Sequence, residues 1–452
     1  MKTQVTDKLQ HWLAKLEQMQ PDKIELGLQR IKKVARQALL DKPDFRIITV
    51  AGTNGKGSTV AYIDAILAHS GFTTGVYTSP HFIEFNERIV INGKCVSDDL
   101  LCTAFEHIDK SRAEVQLTYF EFTTLAAIYC FSSAGIDVAI LEVGLGGRLD
   151  AVNAWDPEVA CISSIGIDHT DWLGDDRETI GREKAGVARP GRALVCGDTD
   201  PPKSIQEAAL KAGAVLLQRG KDFDIEPPAN ALPEPAVEEM AVEEIAVEEI
   251  EVAGTEPWHY RDPFFAASLP APVMPGVWAR DNASVAICAC GQFLNAAPAR
   301  ESVESALLTV SMAGRMQLLD VQNTQVLLDV AHNRAAAEHL FRYLKNRPTT
   351  GLTYAVFGCM QDKDMNAIVD ALVTVVDHWS VVQIDASRAM LTSDIEAGLQ
   401  HCGVQNMQSF ASVIQGLESS IAQSGADDRV LVFGSFQVVG PALEWLDQGG
   451  QA

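Results

Sequence analysis

No apolar run in this chain approaches the roughly eighteen residues of a membrane span. The opening segment MKTQVTDKLQHWLAKLEQM has an amphipathic helix pattern with charges throughout, where a secretory leader would carry an apolar core. The expectation is a cytoplasmic enzyme. There is no C-x-x-C pair either. Nine cysteines stand at 95, 102, 130, 161, 196, 288, 290, 359 and 402, odd in number and scattered. That argues against a disulfide framework or a zinc site and for small buried hydrophobes in a reducing compartment. Positive charge is in short supply. Lys and Arg number 36 against 60 Asp and Glu, a formal charge of −24, which argues against sustained binding to a nucleic-acid backbone or an anionic membrane. It also sets a requirement: an anionic ligand has to be met by side-chain cations or metal ions concentrated in its site.

What is present begins at residues 49–59, TVAGTNGKGST. FRIITV (45–50) precedes it, a buried-strand pattern, and STVAYIDAILAHSG follows it with helical spacing and a glycine stop. Strand, glycine-rich turn, helix is the context of a phosphate-binding loop. Gly52, Gly55 and Gly57 allow close approach of the backbone, the helix N-terminus faces an anion, and Lys56 adds a point charge. The usual G-x-x-x-x-G-K-[ST] pattern would put glycine at 50 and Ser or Thr at 57; the chain has Val50 and Gly57, a variant loop of the form GTNGKGS. A glycine turn that binds nothing is the alternative.

The 452 residues suffice for two or three domains. From 45 to about 200, strand candidates at 45–50, 74–78, 137–142, 158–163 and 192–196 alternate with helical patterns. This predicts a mostly parallel sheet covered by helices, with ligands beyond the strands' C-terminal ends. A second alternating region has strand candidates at 325–330, 352–357, 378–384 and 429–433 and helices at 334–346, 364–376 and 394–401. The boundary is expected between NASVAICACGQFL and the helix starting near Pro298, giving domains of 1–296 and 297–452. Residues 226–256 differ in kind: AVEEM, AVEEI, AVEEI in tandem, ten glutamates and no Lys or Arg, read as a mobile, solvated acidic insert or as a docking tail for a basic partner. Without it the formal charge is still −14.

Several residues sit where such a sheet would gather its chemistry. Glu142 ends a strongly apolar strand and is placed for Mg²⁺, or simply caps the glycine turn VGLGG. Ser79 in YTSPH ends the neighbouring strand and could add a hydroxyl. His169 in SSIGIDHTDWLG lies past another strand on the same edge, as a ligand or a hydrogen-bonded loop residue. By composition alone Lys184 in GREKAGV is a surface lysine.

The set AGTNGKGST, YTSPHF with FNERI, LTYFEFTTLAA, LEVGLGGRLDA, DHTDWLG with REKAG, and LLDVAHN resembles the ATP-dependent amide ligases that build folates, the folylpolyglutamate synthase family of the Mur ligase superfamily, in its bifunctional bacterial form. The resemblance covers about 10–225 and 260–440. It implies an α/β fold, a phosphate-loop domain of Mur-ligase type followed by a smaller Rossmann-like domain. It implies addition of L-glutamate to dihydropteroate and to the γ-carboxylate of reduced folates, through an acyl phosphate, by a monomer that takes neither nucleic acid nor membrane as partner.

The roles it implies fall residue by residue. Gly52, Thr53, Asn54, Gly55, Lys56, Gly57 and Ser58 would cradle the ATP phosphates, with Asn282 reading adenine and Arg315, Asp329 and His332 serving phosphate and ribose from the second domain. Ser79, Glu142 and His169 would bind Mg²⁺, two ions, joined by Lys184 as a CO₂-derived carbamate. Lys56, His169 and Lys184 would be catalytic. Dihydropteroate would lie against Glu25, Leu26, Gly27, Leu28, Thr118, Tyr119, Phe120, Glu121, Leu149, Asp150 and Ala151. The chain departs from the family at Ala313 and Arg334, where proline is usual, and in the glutamate repeat. Open alternatives are a monofunctional folylpolyglutamate synthase, a Mur-type ligase of cell-wall precursors, a phosphate-loop kinase or ATPase, and a non-catalytic nucleotide-binding relative.

Overall fold

A computed structural model of the chain describes residues 2–18, 26–226 and 256–449. The reading of 226–256 as a solvated insert falls, beyond its first and last residues, outside them. The first sheet is built from β1 (Arg46–Ala51), β2 (Thr74–Tyr77), β3 (Ile89–Ile91), β4 (Lys94–Cys95), β5 (Val138–Glu142), β6 (Val159–Ile162), β7 (Ala193–Cys196) and β8 (Val215–Gln218), in the order β4-β3-β2-β5-β1-β6-β7-β8. The run from β2 to β8 is parallel; β3 and β4 add an antiparallel edge. The alternation of a strand sends Ile47 and Ala51 to one core cluster and Ile48 and Val50 to the other, so helices must cover both faces. β1 lies centrally between β5 and β6, which brings Val50 opposite Glu142 and Cys161 in register.

A small antiparallel sheet follows, β9 (Asp224–Glu226), β10 (Trp258–Arg261) and β11 (Ala266–Leu269), its buried Trp258 and Tyr260 joining the core behind the first sheet. The helices Val277–Leu294 and Arg300–Thr309 pack on the helix Lys56–His69. The expected boundary at 296/297 therefore precedes a helix whose Val303, Ala306 and Leu307 are buried in the first sheet's core.

The second sheet contains β12 (Gln317–Val321), β13 (Thr324–Asp329), β14 (Thr353–Phe357), β15 (His378–Val382), β16 (Met407–Phe410) and β17 (Arg429–Phe433), ordered β12-β13-β17-β14-β15-β16 and parallel except for the β12–β13 hairpin. Helices Arg334–Asn346 and Thr392–His401 form where helical periodicity predicts them. The one expected over 364–376 stops at Asp370: Met365–Asp370 is followed by turns, because Leu372 and Val376 are pulled into the core individually. All nine cysteines are free thiols and seven are buried; Cys95 is exposed on the edge strand and Cys402 half-buried. Among the described residues no helix is long and apolar enough to cross a membrane.

Candidate active site

The turn after β1 is shaped by contacts with the end of β6. Thr53 donates its N–H to the Ser164 carbonyl and exchanges hydrogen bonds with Gly166, while Ser163 and Ser164 both donate to the Asn54 carbonyl. Gly55 begins the helix Lys56–His69 in the left-handed region, φ 82°, and a Cβ there would stand 2.3 Å from the amide oxygen of Asn282. Asn282 is buried on the helix Val277–Leu294 and its amide lies 3.5 Å from the Thr59 hydroxyl, so it abuts the turn from behind. The Lys56 ammonium is curled onto the carbonyls of Gly52 and Thr53 at 3.1 and 3.0 Å, and burial lowers its pKa against the pull of Glu142. Gly57 and Ser58 are buried in the first helical turn.

Two groups close in from β5 and the helix Arg177–Lys184. Glu142, buried at the end of its strand, accepts the backbone N–H of Ser79 at 3.0 Å; burial raises its pKa while Lys56 lowers it. Lys184, a surface lysine by composition, is buried instead. Its Nζ donates to the Gly52 carbonyl at 2.9 Å, and burial first, then the charge of Lys56, brings its pKa down to about 7.

Aromatics gather on the other side of β5. Phe120 stacks on Tyr77 with centroids 5.8 Å apart, and a side chain at Gly144 would collide with its ring at 2.6 Å. Thr118 and Glu121 form a capping box on the helix Tyr119–Ala134, and Arg30 donates to the same Glu121 carboxylate at 3.2 Å. Among the described residues one Glu121 oxygen is buried with no hydrogen-bond partner. Asp150 accepts the N–H groups of Leu145 and Val152 and is pushed up to about 7 by burial, so it holds the glycine loop and Ala151 in shape, with Leu149 half-buried beside it. Leu26, Gly27 and Leu28 lead into the helix Gln29–Gln37; Glu25 lies outside the described residues.

The second sheet meets this edge. Asp329 accepts from the N–H groups of Met316 and Ala331, fixing the turn that carries Arg315, whose guanidinium lies over the Phe436 ring at 5.3 Å. Phe82 packs on Phe436 from the first lobe at 4.9 Å. Asp168, Lys363 and Asn333, which sequence reasoning did not single out, are here. Asp168 pairs with Lys363 at 2.6 Å, each side chain 8% exposed. Asn333 donates to Asp168 at 3.0 Å and exchanges amide hydrogen bonds with Asn54 of the phosphate loop. His332 approaches Asp168 at 3.7 Å. Burial opposes ionisation of Asp168, but the His332 hydrogen bond and the Lys363 charge prevail and hold its carboxyl well below the usual range. His169 takes a left-handed conformation, faces Asp362 at 3.8 Å, and is brought to about 4 by burial, so its ring is neutral at pH 7.

Divalent-cation binding can be tested on the donors present. Among the described residues no three His, Cys, Asp or Glu side chains gather into a metal cluster. Glu142 is a buried carboxylate whose charge burial disfavours, beside a serine that already shares a hydrogen bond with it. That donor chemistry fits a hard cation completed by oxygen ligands from a bound phosphate and water.

Models for two Mur ligase domains match the chain: the middle domain over 50–217 and the glutamate ligase domain over 314–436. The curated dihydrofolate synthase/folylpolyglutamate synthase of Escherichia coli (strain K12) is 36% identical over 98% of this chain and 97% of its own length. The solved structure of E. coli FolC in complex with DHPP and ADP superimposes with a TM-score of 0.87 at 35% identity, covering 98% of both chains. A bifunctional folylpolyglutamate synthase/dihydrofolate synthase with Mn, AMPPNP and L-glutamate bound gives a TM-score of 0.84 at 35% identity, covering 97% of this chain and 98% of that one.

Proposed function

Given that the chain belongs to the Mur ligase family, among the dihydrofolate synthase/folylpolyglutamate synthases, we propose a mechanism in which two lobes assemble one amide-forming site. The enzyme is an ATP-dependent ligase that joins L-glutamate to dihydropteroate and to the γ-carboxylate of reduced folates through an acyl phosphate. The substrate carboxylate attacks the γ-phosphorus of ATP and ADP leaves; the glutamate amine then attacks the acyl carbon and phosphate leaves. Gly52 to Ser58 cradle the phosphates, and Asn282, Arg315, Asp329 and His332 complete the nucleotide site. Thr118, Phe120 and Asp150, with their neighbours and residues 25–28, form the pterin side; a flat ring on Phe120 suits that chemistry.

Ser79, Glu142, His169 and a carbamate on Lys184 would hold two Mg²⁺ ions, which would supply charge neutralisation between the two anions that must react. The chain's own contribution is positioning and cations: Lys56 and Arg315 face the phosphates, in a protein otherwise strongly acidic. Lys184 favours carbamylation because a buried amine with its pKa near 7 is substantially neutral at cellular pH; its nitrogen bonds to CO₂ and releases a proton, turning a neutral amine into an anion beside the metal ligands. The Asp168–Lys363 and Asn54–Asn333 contacts exclude water from a hydrolysable acyl phosphate when the lobes close. The reading includes a monomer in the cytoplasm.

The observation that carries this reading is the Asn54–Asn333 pair, in which the phosphate loop itself bonds to the second lobe. A kinase or ATPase acting through the loop alone would have no use for it. The test is a product assay with ATP, Mg²⁺ and L-glutamate, offering dihydropteroate and tetrahydrofolate separately. Glutamate-dependent phosphate release with a new amide in both products is expected. Phosphate release that ignores glutamate would sink the ligase reading, and amide formation with tetrahydrofolate alone would leave the monofunctional alternative.

A further inference from the structure

Arg88 ends the short turn Phe85–Arg88 on the loop between β2 and β3, and it is 9% exposed. Its Nε donates to Nδ1 of His81 at 2.8 Å. Its guanidinium lies over the rings of Tyr119 at 5.4 Å and Phe85 at 5.6 Å. Nδ1 of His81 accepts this bond, so the ring serves as a hydrogen-bond partner and supplies no counter-charge. Among the described residues no carboxylate stands within 4.0 Å of Arg88. A buried cation without a counter-ion is costly, and such a site is suited to an anion that arrives with a ligand.

The surroundings say which anion. Tyr119 adjoins Phe120, the flat face on the pterin side, and the Arg88 charge also reaches Glu142 at the metal side. The phosphate loop has its own cation in Lys56. Between a pterin on Phe120 and a phosphate at Lys56 lies the substrate's carboxyl group, the one that must become an acyl phosphate.

We propose that Arg88 binds and orients the substrate carboxylate to be activated, with His81 as the positioning residue that turns the guanidinium toward it. This rests on the folate-ligase reading above. His81 takes the Nε edge and leaves the Nη edge for the carboxylate, the fork geometry that lysine cannot offer.

The experiment compares binding of dihydropteroate and its carboxamide analogue, without nucleotide or metal, to the wild-type chain, Arg88→Gln and Arg88→Met, with kcat and KM for dihydropteroate alongside. The wild type should prefer the carboxylate by about tenfold or more. Both variants should lose that preference while keeping ATP affinity, and KM should rise more than ATP binding changes. Retained preference in a folded variant overturns the proposal. A crystal of the wild-type complex decides independently of variant folding: a carboxylate oxygen within hydrogen-bond distance of an Arg88 Nη supports it, and its absence overturns it. If the wild type itself makes no amide from dihydropteroate, the underlying reading fails, and that outcome is distinct from loss of the Arg88 role alone.

Discussion

At Lys184 the fold removes an amine from water and then offers it a single carbonyl, that of Gly52. A lysine placed for charge alone would be left solvated; this one is held in a form that can act as a nucleophile toward CO₂. Lys184→Ala should lose at least about two orders of magnitude in ligase turnover while ATP still binds, measured by glutamate-dependent phosphate release and by nucleotide titration. Full turnover in that variant would remove the carbamate from the mechanism. Residue types at strand ends made Glu142, Ser79 and the phosphate loop readable in the sequence. The burial of Lys184 was not readable, since GREKAGV looks like a solvated helix end until Gly147 and Gly186 let the neighbouring loop approach it. Nor was the pairing of Asp168 with Lys363, which lie 195 positions apart. Their local signals were present, an aspartate beside His169 and a DKD turn shortly after a strand, but nothing in spacing says that two loops will meet.

At the level of elements, the helix Lys56–His69 is the part on which most others depend. It starts at a left-handed glycine, carries the phosphate loop on its first turn, and is flanked by two helices that come more than 200 residues later. Gly55→Ala combines an unfavourable backbone conformation, about 1–2 kcal/mol, with a methyl group forced toward Asn282. ATP affinity should fall by at least about tenfold in calorimetric titration, with dihydropteroate binding little changed; unaltered ATP affinity would mean that the turn is not the phosphate cradle. Five strands of the first sheet, β1, β2, β5, β6 and β7, were legible as short apolar runs closed by glycine or a polar turn; β3, β4 and β8 at its edges are too short or too polar to stand out. The β9–β11 sheet was not, because its strands are short, only partly apolar, and β9 is separated from β10 by the glutamate repeat.

For the molecule as a whole, the interface between lobes is part ionic, part aromatic. Trp278 of the first lobe meets His339 of the second edge to face, and burial, with Arg342 nearby, brings His339 down to about 3. With a folded pKa below the unfolded value of about 6.5, the unfolded chain binds more protons between those limits. The contribution is complete above pH 6.5 and is lost as pH falls toward 3. His81 and His169, both brought to about 4, act with the same sign. These histidines therefore pull the thermal midpoint down as pH falls from 6.5 toward 4, a decline that protonation of Asp150, held at about 7 by burial, offsets in part. His339→Phe, which keeps the ring against Trp278, should flatten part of that decline. An unchanged slope would show that His339 is not among the groups responsible.

Because the helix Arg300–Thr309 stays with the first lobe and β12 starts at Gln317, only residues 310–316 join the two halves covalently. Such a strap reaches about 25 Å at full stretch, and Met312 within it already touches the first turn after the phosphate loop. On the closure proposed above, the second half would turn about that tether without drifting away, and the same two surfaces would come back into register for the next glutamate.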